Sequence, residues 1–600
     1  MTQQPVEMRR HSAAHLLAAA VHQLFPEAKF GVGPVVENGF YYDIDIGRSV
    51  LPEDVEAITK TMRSIQGQNP AFVRQELPID EAISLFVDLG QTYKVELLND
   101  LKTKGTTKVN MEEAQEIDPQ NVGTVSIYRT GAFVDLCRGP HVAEAKEIGN
   151  AWKLTKVAGA YWRGKETNPQ MQRIYGICFV NKEELEAYEH MLEEAEKRDH
   201  RKIGAAQDLF FIDETVGKGL VMWLPNGTIM RNAVEALAVE MEEKQGYQRV
   251  STPHIAKQEL YLTSGHLPYY KDSMYPPMEM DDGVYYMKAM NCPHHHMIFK
   301  YGLRSYKELP LRLAEYGVCY RNELSGALAG LLRVRALAMN DAHIYCRKDQ
   351  IKDEFKRVLS LVIEYFRIFG LKDYWFRLSK WSPDHVEKYI NQPENWEYSQ
   401  NVLRDVLVEM QVPFREADDE AAFYGPKVDV QFKSVIGREE TMSTVQLDFV
   451  ARERFALQYV DETGQKNGEV FVIHRAPLST HERFMAFLIE HYAGSFPTWL
   501  SPVQVTILPV ADRHNAFAQA LSAELKEAGV RVTVDETPES VGKKIRNAEV
   551  KRIPYALVVG DKEAAGEALT VRRRGEKEQQ SMEKSAFIKA LLEEIKERRG

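Results

Sequence analysis

The sequence predicts an α+β protein of several domains, and three observations carry that prediction. Its 600 residues would make roughly three to five domains at about 150 residues each. Residues 1–180 mix helical and strand patterns, whereas residues 501–600 alternate strand, helix and strand in the manner of a small α/β domain with a parallel-type sheet. Between them, residues 182–203 are dense in Glu, Lys and Arg, with Leu185, Tyr188 and Leu192 at helical spacing, which reads as an exposed connecting helix. The expected division is 1–180, a linker at 181–204, a core at 205–500 and a C-terminal domain at 501–600.

Taken in order, Glu7 to Leu24 reads as an amphipathic helix. Arg9-Arg10 ahead of an Ala- and Leu-rich run has the outline of a signal peptide, but His11, His15 and His22 interrupt it. Phe30 to Ile46, with Gly31-Val32-Gly33-Pro34 and Gly39-Phe40-Tyr41-Tyr42, reads as strands and a turn. The apolar Leu309 to Tyr320 leads into Arg321-Asn322-Glu323, read as continuing a strand. Glu482-Arg483-Phe484 opens an amphipathic helix to His491. In the last domain, a buried strand within Ser501 to Leu508 precedes a helix (Arg513 to Ala528) and a strand (Val530 to Val534).

Composition narrows the class. At 44% hydrophobic and 27% charged residues, the chain is an ordinary globular one. No apolar run approaches the ~18 to 20 residues of a membrane span. Five cysteines, an odd number at irregular positions (137, 178, 292, 319 and 346), do not make a disulfide framework and point to a reducing cytoplasm. A net charge of −11 argues against a generic nucleic-acid coat. Residues 501–600 nevertheless hold 18 Lys+Arg against 16 Asp+Glu, with Arg572-Arg573-Arg574 the densest basic run.

The chemistry gathers around Met290-Asn291-Cys292-Pro293-His294-His295-His296. Downstream lie His343, in Asn340-Asp341-Ala342-His343, and His474, in Val472-Ile473-His474-Arg475. Cys292, His343 and His474 would give one thiolate and two imidazoles, a set that suits zinc and leaves a fourth position open. The bland alternative is a buried free cysteine and two unrelated histidines. Arg321 and Glu323, two apart on a strand, would share a face. The Arg could fork onto a phosphate or carboxylate and the Glu could accept from an amino group; the alternative is a surface ion pair. Arg483 near a helix start is poised for a phosphate. In the N-terminal domain, His11 and His15 share a helix face, and Cys137-x-x-x-His141 follows later. On spacing alone these four make a second zinc-like set.

The order Met-Asn-Cys-Pro, Arg-Asn-Glu, Asp-x-His, Phe423-Tyr424-Gly425-Pro426-Lys427, Thr444-Val445-Gln446-Leu447-Asp448-Phe449 and His-Arg-Ala ahead of Glu-Arg-Phe resembles the threonyl-tRNA synthetases, class II aminoacyl-tRNA synthetases. The resemblance runs from His11 onward, without the small ubiquitin-like domain that many members carry ahead of that point. It implies a class II antiparallel-sheet catalytic core, an α+β editing domain before it and an α/β anticodon-binding domain after it. It also implies a homodimer acting on L-threonine, ATP and tRNA(Thr), zinc on Cys292, His343 and His474, and Mg2+ with the ATP. Threonine's amine and hydroxyl would complete the zinc's coordination, and valine, lacking the oxygen, would be rejected. Arg321 is then expected at the α-phosphate and carboxylate, Glu323 at the adenine amino group and Arg483 at the γ-phosphate. Asp341 and Tyr424 are expected at the substrate amine, with Lys427 and Gln446 lining the pocket.

Serine lacks only a methyl, worth about 1–3 kcal/mol of discrimination, so a second site must hydrolyse seryl-tRNA. The resemblance assigns that work to His11, His15, Lys94, Asp135, Cys137 and His141, with Tyr42 as a further member, in a domain that usually works without a bound metal. In residues 501–600 it places Arg546, Glu563 and Arg572 at the anticodon bases; the Asn usual at another contact position is Pro538 here. The chain also departs from the family's ATP floor. Its Gly-Phe-Thr-Gln-Asp-Asp-Ala-His is Ala336-Leu337-Ala338-Met339-Asn340-Asp341-Ala342-His343, and two expected glycines are Ser479 and Ala486. Leu337 cannot stack on adenine as Phe does, which predicts weak ATP binding. It also leaves two rivals to the ligase: an editing-only hydrolase and a non-catalytic tRNA-binding paralogue.

Overall fold

The computed structural model describes residues 5–104, 123–164, 167–385, 388–434, 439–576 and 578–599. Backbone contacts separate two units, Met1–Leu192 and Glu193–Gly600, so the parts expected at 205–500 and 501–600 share the second.

In the first unit, α1 (Val6–Leu24) is buried continuously from Ser12 to Val21. It is therefore not the amphipathic helix expected. Alanines at 13, 14, 18, 19 and 20 are all buried, and their small side chains let neighbours close in around the whole helix. It packs on β1 (Gly39–Asp45) and on a helix spanning Pro52–Gln68. A three-stranded antiparallel sheet joins β2 (Phe72–Pro78), β3 (Thr124–Thr130) and β4 (Phe133–Leu136), and α2 (Thr92–Lys104) lies between β2 and β3 in sequence. A second sheet pairs β1 with β6 (Gln170–Cys178) and β6 with β5 (Trp152–Tyr161). The predicted connecting helix, α3, covers Lys182–Arg198. It stops where the Asp199 carboxylate accepts from the Arg201 N–H and caps a separate helix, His200–Ala206.

The second unit is built on an eight-stranded sheet. Its antiparallel centre runs β7 (Leu311–Tyr320), β8 (Ala336–Cys346), β12 (Phe471–Ala476), β11 (Glu439–Asp448), β10 (Lys427–Lys433) and β9 (Tyr374–Ser379). Short parallel strands, Gln248–Arg249 and Phe414–Ala417, close its edges. One face is covered by α4 (Pro225–Lys244), α6 (Ile351–Ile368) and α7 (His481–His491) around a single large core. Alternation along the strands turns the other face to α5 (Cys292–Tyr301). The Arg321–Glu323 segment lies beyond the end of β7 in a turn, with the Glu323 N–H bonded to the Arg321 carbonyl at 2.9 Å; it does not continue the strand.

The C-terminal sheet is mixed rather than simply parallel. β13 (Val505–Pro509) pairs parallel with β14 (Val532–Val534) and β15 (Tyr555–Val559), and β16 (Leu569–Arg573) and β17 (Gln580–Met582) add antiparallel. Its helices include α8 (Asn515–Glu527), close to its predicted span, and α9 (Val541–Val550).

Candidate functional site

Cross-strand register assembles the central site. His343 on β8 stands opposite His474 on β12, His474 opposite Gln446 on β11, and Gln446 opposite Lys427 on β10. Residues opposite one another in an antiparallel sheet share a face. Cys292 reaches the same place from the first turn of α5, with Pro293 just inside the helix start, where a missing N–H goes unnoticed. One ligand atom from each of Cys292, His343 and His474 lies within 4.8 Å of the other two.

The hydrogen bonds decide which lone pairs are free. Asp448 Oδ1 accepts from the N–H groups of Val450 (2.7 Å) and Ala451 (2.9 Å), and its Oδ2 lies 3.0 Å from His474 Nε2. His474 Nε2 therefore donates, and a neutral ring that donates there is bare at Nδ1. Glu315 accepts from the Thr252 N–H (2.8 Å) and hydroxyl (2.9 Å) and lies 3.1 Å from His295 Nε2. Burial works to raise the Glu315 carboxyl, but the bonds from His295 and Thr252 and the charge of Lys288 bring it down to about 2. With Nε2 donating to Glu315, a neutral His295 ring accepts at Nδ1, which sits 2.8 Å from His343 Nδ1. His343 Nδ1 then donates, and its Nε2 is bare. Two bare imidazole nitrogens beside a thiol fit Zn2+. Burial, with Asp341 and Asp448 nearby, holds the Cys292 thiol well above its usual range, an effect a bound cation reverses. His296, Asp448 and His474 also cluster within 4.8 Å, but the Asp448 bond already uses that edge of His474.

Substrate candidates ring this centre. Asp341 is buried, and its Oδ2 accepts from Asn291 Nδ2 at 3.1 Å. The Tyr424 hydroxyl donates to Gln446 Oε1, and its ring lies 5.4 Å from that of His474. Lys427 Nζ is held 2.6 Å from the fully buried Asp429. Glu323 takes Arg333 at 2.8 Å, and Arg483, in the first turn of α7, donates through Nε to the Leu332 carbonyl at 3.2 Å. Leu337 is buried with Cys319 and Val334, and Met339 packs on them. Ala486 is fully buried in the main core. A larger cavity, about 460 Å³ and bordered by Asn226, Thr506 and Lys544, contains none of the candidate residues.

The N-terminal candidates also converge. His11, His15, Cys137 and His141 bring ligand atoms within 4.8 Å of one another. Cys137 Sγ lies 3.3 Å from both His11 Nε2 and His141 Nε2. The Ser12 hydroxyl donates to the Met8 carbonyl at 2.8 Å, so His141 Nδ1, 3.1 Å away, donates to Ser12 Oγ and leaves its own Nε2 bare. Burial pushes the Cys137 thiol up to about 12 and pulls His11, His15 and His141 below the usual histidine range. Asp135 takes the Lys94 ammonium at 2.5 Å, the Tyr42 hydroxyl at 2.5 Å and His15 Nε2 at 3.3 Å. Gly139 has φ 73°, and a Cβ there would meet the Tyr128 hydroxyl at 2.2 Å, so the Cys137–His141 turn needs a glycine at that point.

Comparison with known proteins gives this geometry a family. Sequence profiles match residues 125–175 (threonyl and alanyl tRNA synthetase second additional domain), 277–492 (tRNA synthetase class II core domain, G, H, P, S and T) and 504–594 (anticodon binding domain). A threonine–tRNA ligase of Geobacillus sp. (strain WCH70) is 49% identical over 98% of this chain and 89% of its own length. One from Listeria monocytogenes serotype 4a is 48% identical over 98% of this chain and 89% of its own length. The chain belongs to the threonyl-tRNA synthetase family. Among solved structures, the RNA-binding domain of the threonyl-tRNA synthetase of Cryptosporidium parvum Iowa II superposes with a TM-score of 0.63 at 33% identity. That match covers 66% of this chain and 97% of that one.

Within the family's anticodon-binding domain, the candidates fare unequally. Arg546 is exposed on α9, and Arg572 on β16 lies 3.8 Å from Glu549. The Glu563 carboxylate is instead occupied, accepting from the Gly560 N–H (2.8 Å) and the Thr570 hydroxyl (2.6 Å). Arg574 is tied to the carbonyls of Arg552, Ser495 and Phe496.

Sequence reasoning passed over Glu315, His295, Asp448, Asn291 and His266. The last has Nδ1 2.7 Å from Ser264 Oγ and Nε2 3.9 Å from Cys292 Sγ, and burial lowers it to about 4. It is therefore a neutral base beside the triad. Its single signal was a histidine after Ser264-Gly265, too little to single out. His295 and Asn291 stood in the Met290–His296 motif and Asp448 in Thr444–Phe449, but none of the three carried a role.

Proposed function

We propose that this protein joins L-threonine to tRNA(Thr) in two steps. The threonine carboxylate attacks the α-phosphorus of ATP to give threonyl-adenylate and pyrophosphate. A ribose hydroxyl of the tRNA then takes the threonyl group and releases AMP. The observation that carries this is the convergence of Cys292, His343 and His474, with two bare imidazole nitrogens, beside Asp341, Tyr424 and Gln446. Cys292, His343 and His474 would hold zinc, which would supply a Lewis-acid position for an amine and a hydroxyl, and valine would offer it no oxygen. The buried Asp341 accepts from the amine, and Tyr424 with Gln446 closes the side-chain pocket. Arg321 and Arg483 offer guanidinium forks to the carboxylate and phosphates, Glu323 accepts from the adenine amine, Lys427 lines the pocket floor, and Mg2+ accompanies the ATP.

We also assign hydrolysis of seryl-tRNA(Thr) to the N-terminal site. A thiol held up at about 12 is a poor nucleophile at neutral pH, so water is the attacking group. The neutral imidazoles of His11 and His141 accept its proton, and Lys94, fixed by Asp135, meets the developing oxyanion. Arg546 and Arg572 present forks to anticodon bases, while Glu563, held by the Gly560 N–H and the Thr570 hydroxyl, offers a base amine the remaining lone pairs of its carboxylate. Exposed Leu262, Met297, Tyr301 and Leu303 support a homodimer through the core. No described helix is long and apolar enough to cross a membrane, and five free cysteines suit a cytoplasmic setting.

ATP–pyrophosphate exchange tests the first activity. Threonine should support it, serine less well and valine not at all. No exchange with any of the three, in protein shown to hold zinc, would favour the editing-only or tRNA-binding alternatives. For the second activity, Lys94→Met should slow seryl-tRNA(Thr) deacylation by about 100-fold or more and leave threonine-dependent exchange intact. Unchanged deacylation would remove Lys94 from that site.

A further inference from the structure

The two imidazoles of the triad are anchored through opposite nitrogens. His474 is held at Nε2 by Asp448 and presents Nδ1, whereas His343 is held at Nδ1 by His295 and presents Nε2. We propose that Asp448 and the Glu315–His295 pair are positioning residues that set which nitrogen of each histidine is bare toward the metal. The proposal rests on the zinc assignment above and adds the groups that make the site competent to bind.

Each anchor is itself oriented by groups that leave it no choice. Two backbone N–H groups, of Val450 and Ala451, converge on Asp448 Oδ1, so Oδ2 is the atom offered to His474. The Thr252 N–H fixes Glu315 Oε1 at 2.8 Å, and Oε2 is the atom offered to His295. The Thr252 hydroxyl receives Lys288 Nζ at 3.0 Å and so spends its own proton on Glu315. Glu315, His295, Asp448 and His343 are all at most 6% exposed, so bulk water does not compete for these bonds. Hydrogen-bonded carboxylates behind metal-binding histidines fix ring orientation and proton position. Here one such partner acts directly and the other through an intervening imidazole.

Proton position separates this role from a purely structural one. In Asp448→Asn the amide oxygen must face the two N–H groups, so its NH2 faces His474 Nε2. That nitrogen becomes the acceptor, and the His474 proton moves to Nδ1, where the metal must bind. In Glu315→Gln the amide oxygen faces the Thr252 N–H, so the NH2 meets His295 Nε2. His295 then donates at Nδ1, His343 Nδ1 accepts, and the His343 proton moves to Nε2. Both amides keep the shape of the native side chain and invert the proton pattern. Asp448→Ala and Glu315→Ala leave space for water, which can accept as readily as donate.

The test is zinc affinity of the full chain by chelator competition, with the visible absorption of the Co2+-loaded protein as a second readout and circular dichroism as a check of folding. Asp448→Asn and Glu315→Gln should each bind zinc about 10- to 100-fold more weakly than wild type. Each should bind at least as weakly as its alanine counterpart, with altered Co2+ bands. A structural role predicts the reverse order, with the amides close to wild type and the alanines worst; that result would overturn the proposal and leave the zinc assignment standing. Wild-type protein that binds no zinc would remove the assignment itself. The two amides act on different strands through different histidines, so a folding failure in one leaves the other to decide.

Discussion

At the scale of single residues, Ser479 shows most directly what a substitution in this family leaves behind. It stands where the family's glycine was expected, and its backbone keeps the glycine conformation, with φ 55°. An L side chain in that region costs on the order of 1 kcal/mol or more. The conformation is held because the Ser479 carbonyl accepts from the Asn340 N–H at 3.3 Å and Met339 bridges to Thr480. Ser479→Gly should therefore raise the thermal midpoint of unfolding, with a gain of about 1 kcal/mol. A fall in the midpoint would mean that the serine side chain is worth more than the strain. The metal-ligating candidates were legible because cysteine and histidine are rare and stand out in polar, Arg-rich surroundings. Glu315 and Asp448 were not, because a carboxylate on a strand reads in sequence as a solvated polar position. Burial and the N–H groups aimed at them give these two their meaning.

Among the elements, β7 and β8 show how register builds the site. Cys319 is opposite Leu337, Gly317 opposite Met339, Glu315 opposite Asp341 and Leu313 opposite His343, which puts Glu315, Asp341 and His343 on the face toward α5, whereas Arg312 pairs with Glu354 of α6 on the other face. Gly317 is the clearance in that face: a Cβ there would lie 2.1 Å from Asn291 Oδ1. Asn291 is fully buried and holds Asp341. Gly317→Ala should displace Asn291, release Asp341 and raise the KM for threonine at least tenfold in ATP–pyrophosphate exchange, with a smaller change in the KM for ATP. Equal effects on both substrates would indicate general damage to the sheet. The apolar run that became β7 and the helices α7 and α8 were readable in the sequence, though α7, expected to be amphipathic, is buried continuously from Phe484 to Ile489. The all-round burial of α1 was not, because an Ala-rich helix with histidines has the same pattern whether one face or every face is covered. The Arg321–Glu323 turn was misread for a related reason: two residues of one face look alike on a strand and just past its end.

For the whole molecule, the buried histidines make acid stability a consequence of the fold. Burial, joined by neighbouring positive groups, lowers His266 and His294 to about 4 and His296 and His481 to about 3. All four lie in the Glu193–Gly600 unit. In the unfolded chain each takes a proton near its ordinary value of about 6.5, while the folded chain refuses it until pH 4 or 3. Between those limits the unfolded state binds more protons, so stability falls as the pH is lowered, by up to about 1.4 kcal/mol per pH unit for each histidine. Above pH 6.5 the four add no further dependence. Burial acts the other way on Asp341 and Glu482, whose carboxyls are raised; there the folded state protonates first, and folding gains as the pH falls through their window. Glu315, held near 2, contributes stability that is lost only below the ordinary carboxylate range. The histidines therefore dominate between pH 6.5 and 5. The metal-free protein should unfold at a progressively lower temperature across that interval and show little change from pH 7 to 8. A thermal midpoint that stays level from pH 7 to 5 would mean that these rings take up protons in the folded chain as readily as in the unfolded one.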